Sequence, residues 1–128
     1  MLTQTATYAI RAMGYLAKEG DGKPVLSQTI ADAMEIPKNF LSKILHRLVQ
    51  EGLIQSVRGT NGGFVLAREA KSITLRQVVA PFTNLAVYKT CFLGLHECDG
   101  NCGTHRKWLP VVHGLEKLLD GTTIDKVL

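Results

Sequence analysis

A chain of 128 residues has the size of one domain, with room for an extension that folds against a partner. Its 45% apolar content builds a real core, 6% aromatics make that core aliphatic, and a formal charge of +4 suits nucleic acid without requiring it. No apolar run approaches the roughly 18 residues of a membrane helix, the opening MLTQTATYAIRAM lacks a leader's charge and cleavage pattern, and an odd number of cysteines argues against a secreted disulfide framework, so a reducing cytoplasm is expected.

In chain order, residues 3–19 carry Ala6, Ile10, Met13, Leu16 and Ala17 at helical spacing, and Gly20 and Gly22 stop that helix. Ser27 suits the N-cap of a short helix, QTIADAM. The turn EIP follows, and Pro37 suits the first position of the next helix, which runs to Glu51. On it Phe40, Leu41, Ile44, Leu45, Leu48 and Val49 form one wide apolar stripe. Lys38, Asn39, Ser42, Lys43, His46, Arg47 and Gln50 occupy the other face, and Gly52 closes the helix at C′.

Two extended runs follow, LIQSVR (53–58) and FVLA (64–67). Between them, the Asn-Gly of GTNGG can take the positive φ values of a hairpin turn. Helix, short helix, helix and hairpin is the order of a winged helix-turn-helix, so the expected fold class is mainly α with a small β-hairpin wing. Residues 73–82 read as a small helix begun by Thr74, apolar at Leu75, Val78 and Val79. The cysteine segment beyond is Gly-rich and without periodicity, as a loop is. Trp108, Leu109, Val112, Leu115, Leu118 and Leu119 then return to helical spacing. Pro110 either starts or kinks that helix, and Gly121 closes it. In the tail TTIDKVL, Thr122 and Asp125 stand at capping-box spacing.

The open face of the third helix has the chemistry of a major-groove reader. Asn39 and Ser42 can hydrogen-bond base edges, while Lys38, Lys43 and Arg47 can neutralise phosphates or reach guanine. In the wing, Arg58 and the tip residues Thr60 and Asn61 can enter the neighbouring minor groove, where an arginine is favoured electrostatically. Any surface helix shows such residues to water; it is their order, with a basic Gly-rich hairpin behind, that points to DNA. His46 and His113 have no cysteine or histidine at ligand spacing and read as surface residues.

Cys91, Cys98, Cys102 and His105 form the pattern C-x6-C-x3-C-x2-H, and the chain has no other cysteine. Soft thiolates favour iron–sulfur clusters, zinc or copper(I) over hard ions. Four protein ligands close a coordination sphere, which argues against a hydrolytic metal. Spacing leaves a 2Fe–2S cluster, a 4Fe–4S cluster, one structural zinc and a metal-free thiol switch between Cys98 and Cys102 all open. An enzyme is not expected, since there is no C-x-x-C, no βαβ pattern and no phosphate loop.

The stretches LTQTATYAIRAM, IPKNFLSKILHRLVQEGLIQSVRGTNGGFVLA, ITLRQVV and LDGTTIDKVL, with the three cysteines, make the chain resemble the IscR/NsrR/RirA family of bacterial winged-helix regulators (the Rrf-two superfamily). The resemblance covers nearly the whole chain. It implies a homodimer that reads palindromic promoter DNA, as a repressor, with a winged helix-turn-helix over 1–82, a cluster-binding loop over 83–106 and a dimerisation helix and tail over 107–128. It implies an iron–sulfur cluster, 2Fe–2S ahead of 4Fe–4S, that responds to iron–sulfur supply, nitric oxide or redox state. Cys91, Cys98 and Cys102 match the cluster cysteines, and His105 falls where 2Fe–2S members place a histidine ligand. Glu97 and His96 are further candidates; the carboxylate that other members place near the N-terminus falls on Thr7. The chain departs from the family pattern in two places. Cys98 and Cys102 are closer in sequence than is typical, and Ser42 stands where some members have a discriminating glutamate.

Overall fold

The computed structural model describes residues 2–95 and 99–128. Helix α1 spans Gln4–Glu19, and Thr3 caps it by accepting the Ala6 N–H at 3.1 Å. Its buried side is small: Ala6, Ala9, Ala12 and Gly14 join Met13 and Leu16, so neighbours approach the backbone closely. Helix α2 spans Ser27–Met34 and α3 spans Lys38–Gln50. Both begin one residue away from where capping chemistry places them. Leu26, not Ser27, is the N-cap of α2, because Val25 is tied into a bridge with Phe64 and holds the approach extended. Pro37 is the N-cap of α3, with ψ at 131°, and its carbonyl accepts the first helical N–H from Leu41 at 3.0 Å. The far end of α3 follows expectation. Gly52 sits at φ +75° and donates to Val49 O at 3.0 Å, while Leu53 donates to Leu48 O at 3.1 Å. This is a Schellman closure, and Leu53 is buried behind it.

Strands β1, Ile54–Val57, and β2, Gly63–Leu66, pair antiparallel with Ile54 opposite Leu66 and Val57 opposite Gly63. The turn between them is not the expected one. Neither Asn61 nor Gly62 takes a positive φ; Gly59 at +112° and Gly63 at +144° do. The Gly62 N–H donates to Gly59 O at 3.0 Å and closes the tip. Val25 exchanges both backbone hydrogen bonds with Phe64, at 2.9 and 2.8 Å, so the approach to α2 lies against β2 as a one-residue third strand.

Helix α4, Leu75–Val79, is shorter than the 73–82 pattern suggests, but Thr74 starts it through a reciprocal capping box with Gln77. A 3-10 turn over Leu85–Lys89 leads into the cysteine segment. Helix α5, Gly103–Gly121, starts several residues before the apolar repeat does and passes through Pro110 without ending. Proline has no N–H, so α5 gives up one internal hydrogen bond there.

The core is aliphatic throughout: every buried hydrophobic among the described residues is Ala, Val, Leu, Ile or Met. One cluster joins α1, α2, α3 and the wing base, and a second joins Ala6 of α1 with Leu75, Val79 and Leu119. The end of the chain belongs to the first cluster, where Ile124 is 1% exposed. It is drawn there by backbone pairing: Leu75 N–H donates to Thr122 O at 2.9 Å and Ile124 N–H to Ile73 O at 3.0 Å. That pairing also moves the tail cap from the expected Thr122 to Thr123, whose hydroxyl donates to Asp125.

Arg76 of α4 grips Asp120 of α5 through Nε and through Nη2, the latter at 3.1 Å from Oδ2. The hydrogen bond from Arg76 holds the Asp120 carboxyl below the usual carboxylate range. The pair is exposed, so it contributes little at neutral pH. A depressed folded-state value means that its stabilisation is present above the unfolded value of about 3.9 and is lost as pH falls through the folded one. Asp120→Asn is therefore expected to narrow the difference in urea midpoint between pH 7 and pH 3. An unchanged difference would show that the clasp adds nothing.

Candidate nucleic-acid interface and cysteine loop

Helix α3 buries Leu41, Ile44, Leu45 and Leu48 against the core, which turns Lys38, Asn39, Ser42, Lys43, His46 and Gln50 outward. Two residues of this face carry local bonds. The Ser42 hydroxyl donates to Lys38 O at 3.1 Å, which leaves its lone pairs as the part free to meet a donor. Arg47 pairs with Glu51 at 3.0 Å, with both side chains well exposed. Periodicity places Phe40 on the buried stripe, yet it is 48% exposed. It lies at the edge of that stripe and reaches across to Tyr8, with ring centroids 6.5 Å apart, while Arg11 stacks on the other ring at 5.5 Å.

Arg58, Thr60 and Asn61 are exposed at the wing tip, held out by the paired strands. Their position relative to α3 follows from Val25 and Phe64, since one end of that bridge leads directly into the helix-turn-helix. The wing is therefore fixed to the helix-turn-helix by backbone hydrogen bonds.

In the cysteine segment, Cys91 and His105 line one cavity of about 680 Å³, together with Lys89, Asp99 and Gly100. Cys102 is the N-cap of α5, and its Sγ accepts the His105 N–H at 3.2 Å. His105 thus sits in the first turn of α5, and Gly100, at φ +77°, leaves room beside the imidazole Nε2. Asn101 N–H donates to the Asp99 carboxylate at 3.0 Å and holds that carboxyl below its usual range. Cys98, with Glu97 and His96, lies outside the described residues. Among the described residues, no three of His, Cys, Asp and Glu converge as a metal site. The donors that are described, the Cys91 thiol and the His105 imidazole on one open cavity and the Cys102 thiol at the cap of α5, are of the soft type that iron–sulfur or zinc chemistry uses.

Trp108 anchors this loop, a role that its place in the repeat does not reveal. Its Nε1–H donates to Tyr88 O at 3.3 Å, and its ring packs on Phe92 at 5.0 Å. Lys89 adds an ion pair to Glu116 at 3.4 Å. On the outer side of α5, Val111 and Leu118 are 46% and 53% exposed, in line with Gly114 and Gly121.

Residues 2–128 match the family described as "Rrf2: Iron-dependent Transcriptional regulator". The chain is 30% identical to the HTH-type transcriptional regulator IscR of Escherichia coli O1:K1, covering 99% of this chain and 79% of that one. Among solved structures it is similar to T. potens IscR, with a TM-score of 0.77 and 26% identity over 98% of this chain and 84% of that one. CymR of B. subtilis shares the fold, with a TM-score of 0.76 at 23% identity over 99% of this chain and 95% of that one.

Proposed function

The chain belongs to the Rrf2 family of iron-dependent transcriptional regulators, and we propose that it is a homodimeric, cytoplasmic repressor whose hold on palindromic promoter DNA is set by an iron–sulfur cluster at its cysteine loop. The family comprises DNA-binding regulators rather than enzymes. Lys38 and Lys43 contact phosphates, Asn39 and Ser42 meet base edges, Arg47 adds charge at the helix flank, and Arg58, Thr60 and Asn61 enter the minor groove. Two copies related by a two-fold axis match a palindrome. The exposed Val111 and Leu118, with Gly114 between them, supply a close-packing helix face for the second copy.

The observation that carries the sensor reading is the cavity shared by Cys91 and His105 beside the Cys102 cap. Cys91, Cys98, Cys102 and His105 would hold a 2Fe–2S cluster; a 4Fe–4S cluster fits the same donor types. A bound cluster supplies redox and nitric-oxide sensitivity. The chain's own part is mechanical. Cys102 holds the first turn of α5, and Arg76–Asp120 and the Thr122–Leu75 hydrogen bond hold its last turn to the winged helix. A change at the thiols thus reaches the DNA-reading unit along one continuous helix.

Protein purified without oxygen is expected to be coloured and to carry iron and acid-labile sulfide. Cys91→Ala and Cys102→Ala should each remove both while leaving the helical circular dichroism in place. Stoichiometric zinc in a colourless protein would replace the cluster with a structural metal. A mass loss of about two protons on oxidation, with no metal bound, would replace it with a thiol switch.

A further inference from the structure

The buried stripe of α3 points roughly opposite Asn39, so Asn39 marks the centre of the open face. At about 100° per residue, His46 lies about 20° from Asn39, whereas Arg47 lies about 80° away on the flank. Arg47 is also engaged there. It pairs with Glu51 and lines a groove of about 420 Å³ on the α4 side with Leu53, Arg68 and Gln77. No hydrogen bond or ion pair among the described residues occupies the His46 side chain in this way, and it is exposed.

Asn39, Ser42, Lys43 and His46 therefore stand at i, i+3, i+4 and i+7. One helix presents four side chains to base edges at this spacing, as the homeodomain recognition helix does. A rise of about 1.5 Å per residue puts His46 about 10 Å beyond Asn39, inside a major groove about 12 Å wide. An imidazole offers one N–H donor in its neutral form and two when protonated. Adenine N7 and thymine O4 can also accept from it, but guanine alone presents two acceptors, N7 and O6, on its major-groove edge and so matches a donor best.

We propose that His46 is a base-reading residue of α3, selecting guanine at one position of each half-site, while Arg47 at the flank carries no base selection. This rests on the DNA-reading function proposed above. The full-length protein selects its preferred duplex from a random 30-base-pair library, and variants are then measured on that duplex and on its single-base changes. His46→Ala is expected to weaken binding to the selected duplex by about fivefold or more and to flatten the preference at one base pair per half-site. Arg47→Ala should leave every base preference as it was. His46→Asn should move the preference at that same base pair toward adenine. A loss from His46→Ala that is equal for all sequences, with a shallower salt dependence, would assign His46 to a phosphate and overturn the proposal. So would no change at all, or a base preference that depends on Arg47. If the wild-type protein enriches no sequence, the DNA-reading function itself falls, an outcome distinct from any of these.

Discussion

Ile124→Ala is expected to lower the unfolding free energy by about 2–4 kcal/mol, the range for truncating a fully buried isoleucine. Ile124 is 1% exposed although it lies near the end of the chain, where fraying is the usual condition. Its N–H bond to Ile73 O would survive the change, so the loss isolates side-chain packing from backbone pairing. Val87→Ala, at a residue 56% exposed, is the comparison and should cost about 0.5 kcal/mol or less. Urea denaturation read by circular dichroism gives both values. Equal, small losses would mean that the tail rests on the core without belonging to it. The expected inequality matters for function, because the same tail continues α5 and so ties that helix, whose first turn Cys102 caps, into the winged helix.

Gly63→Ala is expected to destabilise the protein by about 2–4 kcal/mol and to weaken DNA binding by tenfold or more. Two costs coincide at this residue. Its φ of +144° is a region that side chains rarely enter, and a Cβ there would stand 2.4 Å from Val25 O. The obstacle is backbone, so relief requires Val25 to withdraw and its pair of hydrogen bonds to Phe64 to break. The wing would then lose its fixed position beside α3, and with it the minor-groove contact proposed for Arg58. Gly22→Ala separates the two causes. Gly22 has φ +75° but nothing within 4 Å, so only the dihedral cost applies, about 1 kcal/mol. If Gly63→Ala costs no more than Gly22→Ala, the bridge to Val25 is not what holds the wing.

The order of elements was legible in the sequence because each has its own period and stops. The stripe of α3 repeats at helical spacing up to Gly52, and Thr74 with Gln77 is a local capping pair. The exceptions share one cause. Ser27 loses the α2 cap to Leu26, Phe40 leaves the stripe for Tyr8, and Asn61 yields the turn to Gly59 and Gly63. Each outcome is set by a partner distant in sequence or by the geometry of the paired strands, and neither is encoded in the local pattern. At the site, the residue types and their spacing were readable. Which of them share a cavity was not: Cys91 and His105 line one cavity because Trp108 and Lys89 hold the loop back onto α5.

By itself, then, the sequence determined the fold class, the family and the kinds of donor available, since these follow from hydrophobic period, capping chemistry and motif. The tertiary structure decided that the tail completes the core, that Val25 sets the wing and that Cys102 caps α5. It also decided that Arg47 is engaged on the flank by Glu51 and the α4-side groove. Those outcomes depend on which groups lie near one another after burial, and burial is settled by the whole chain at once rather than by any local segment.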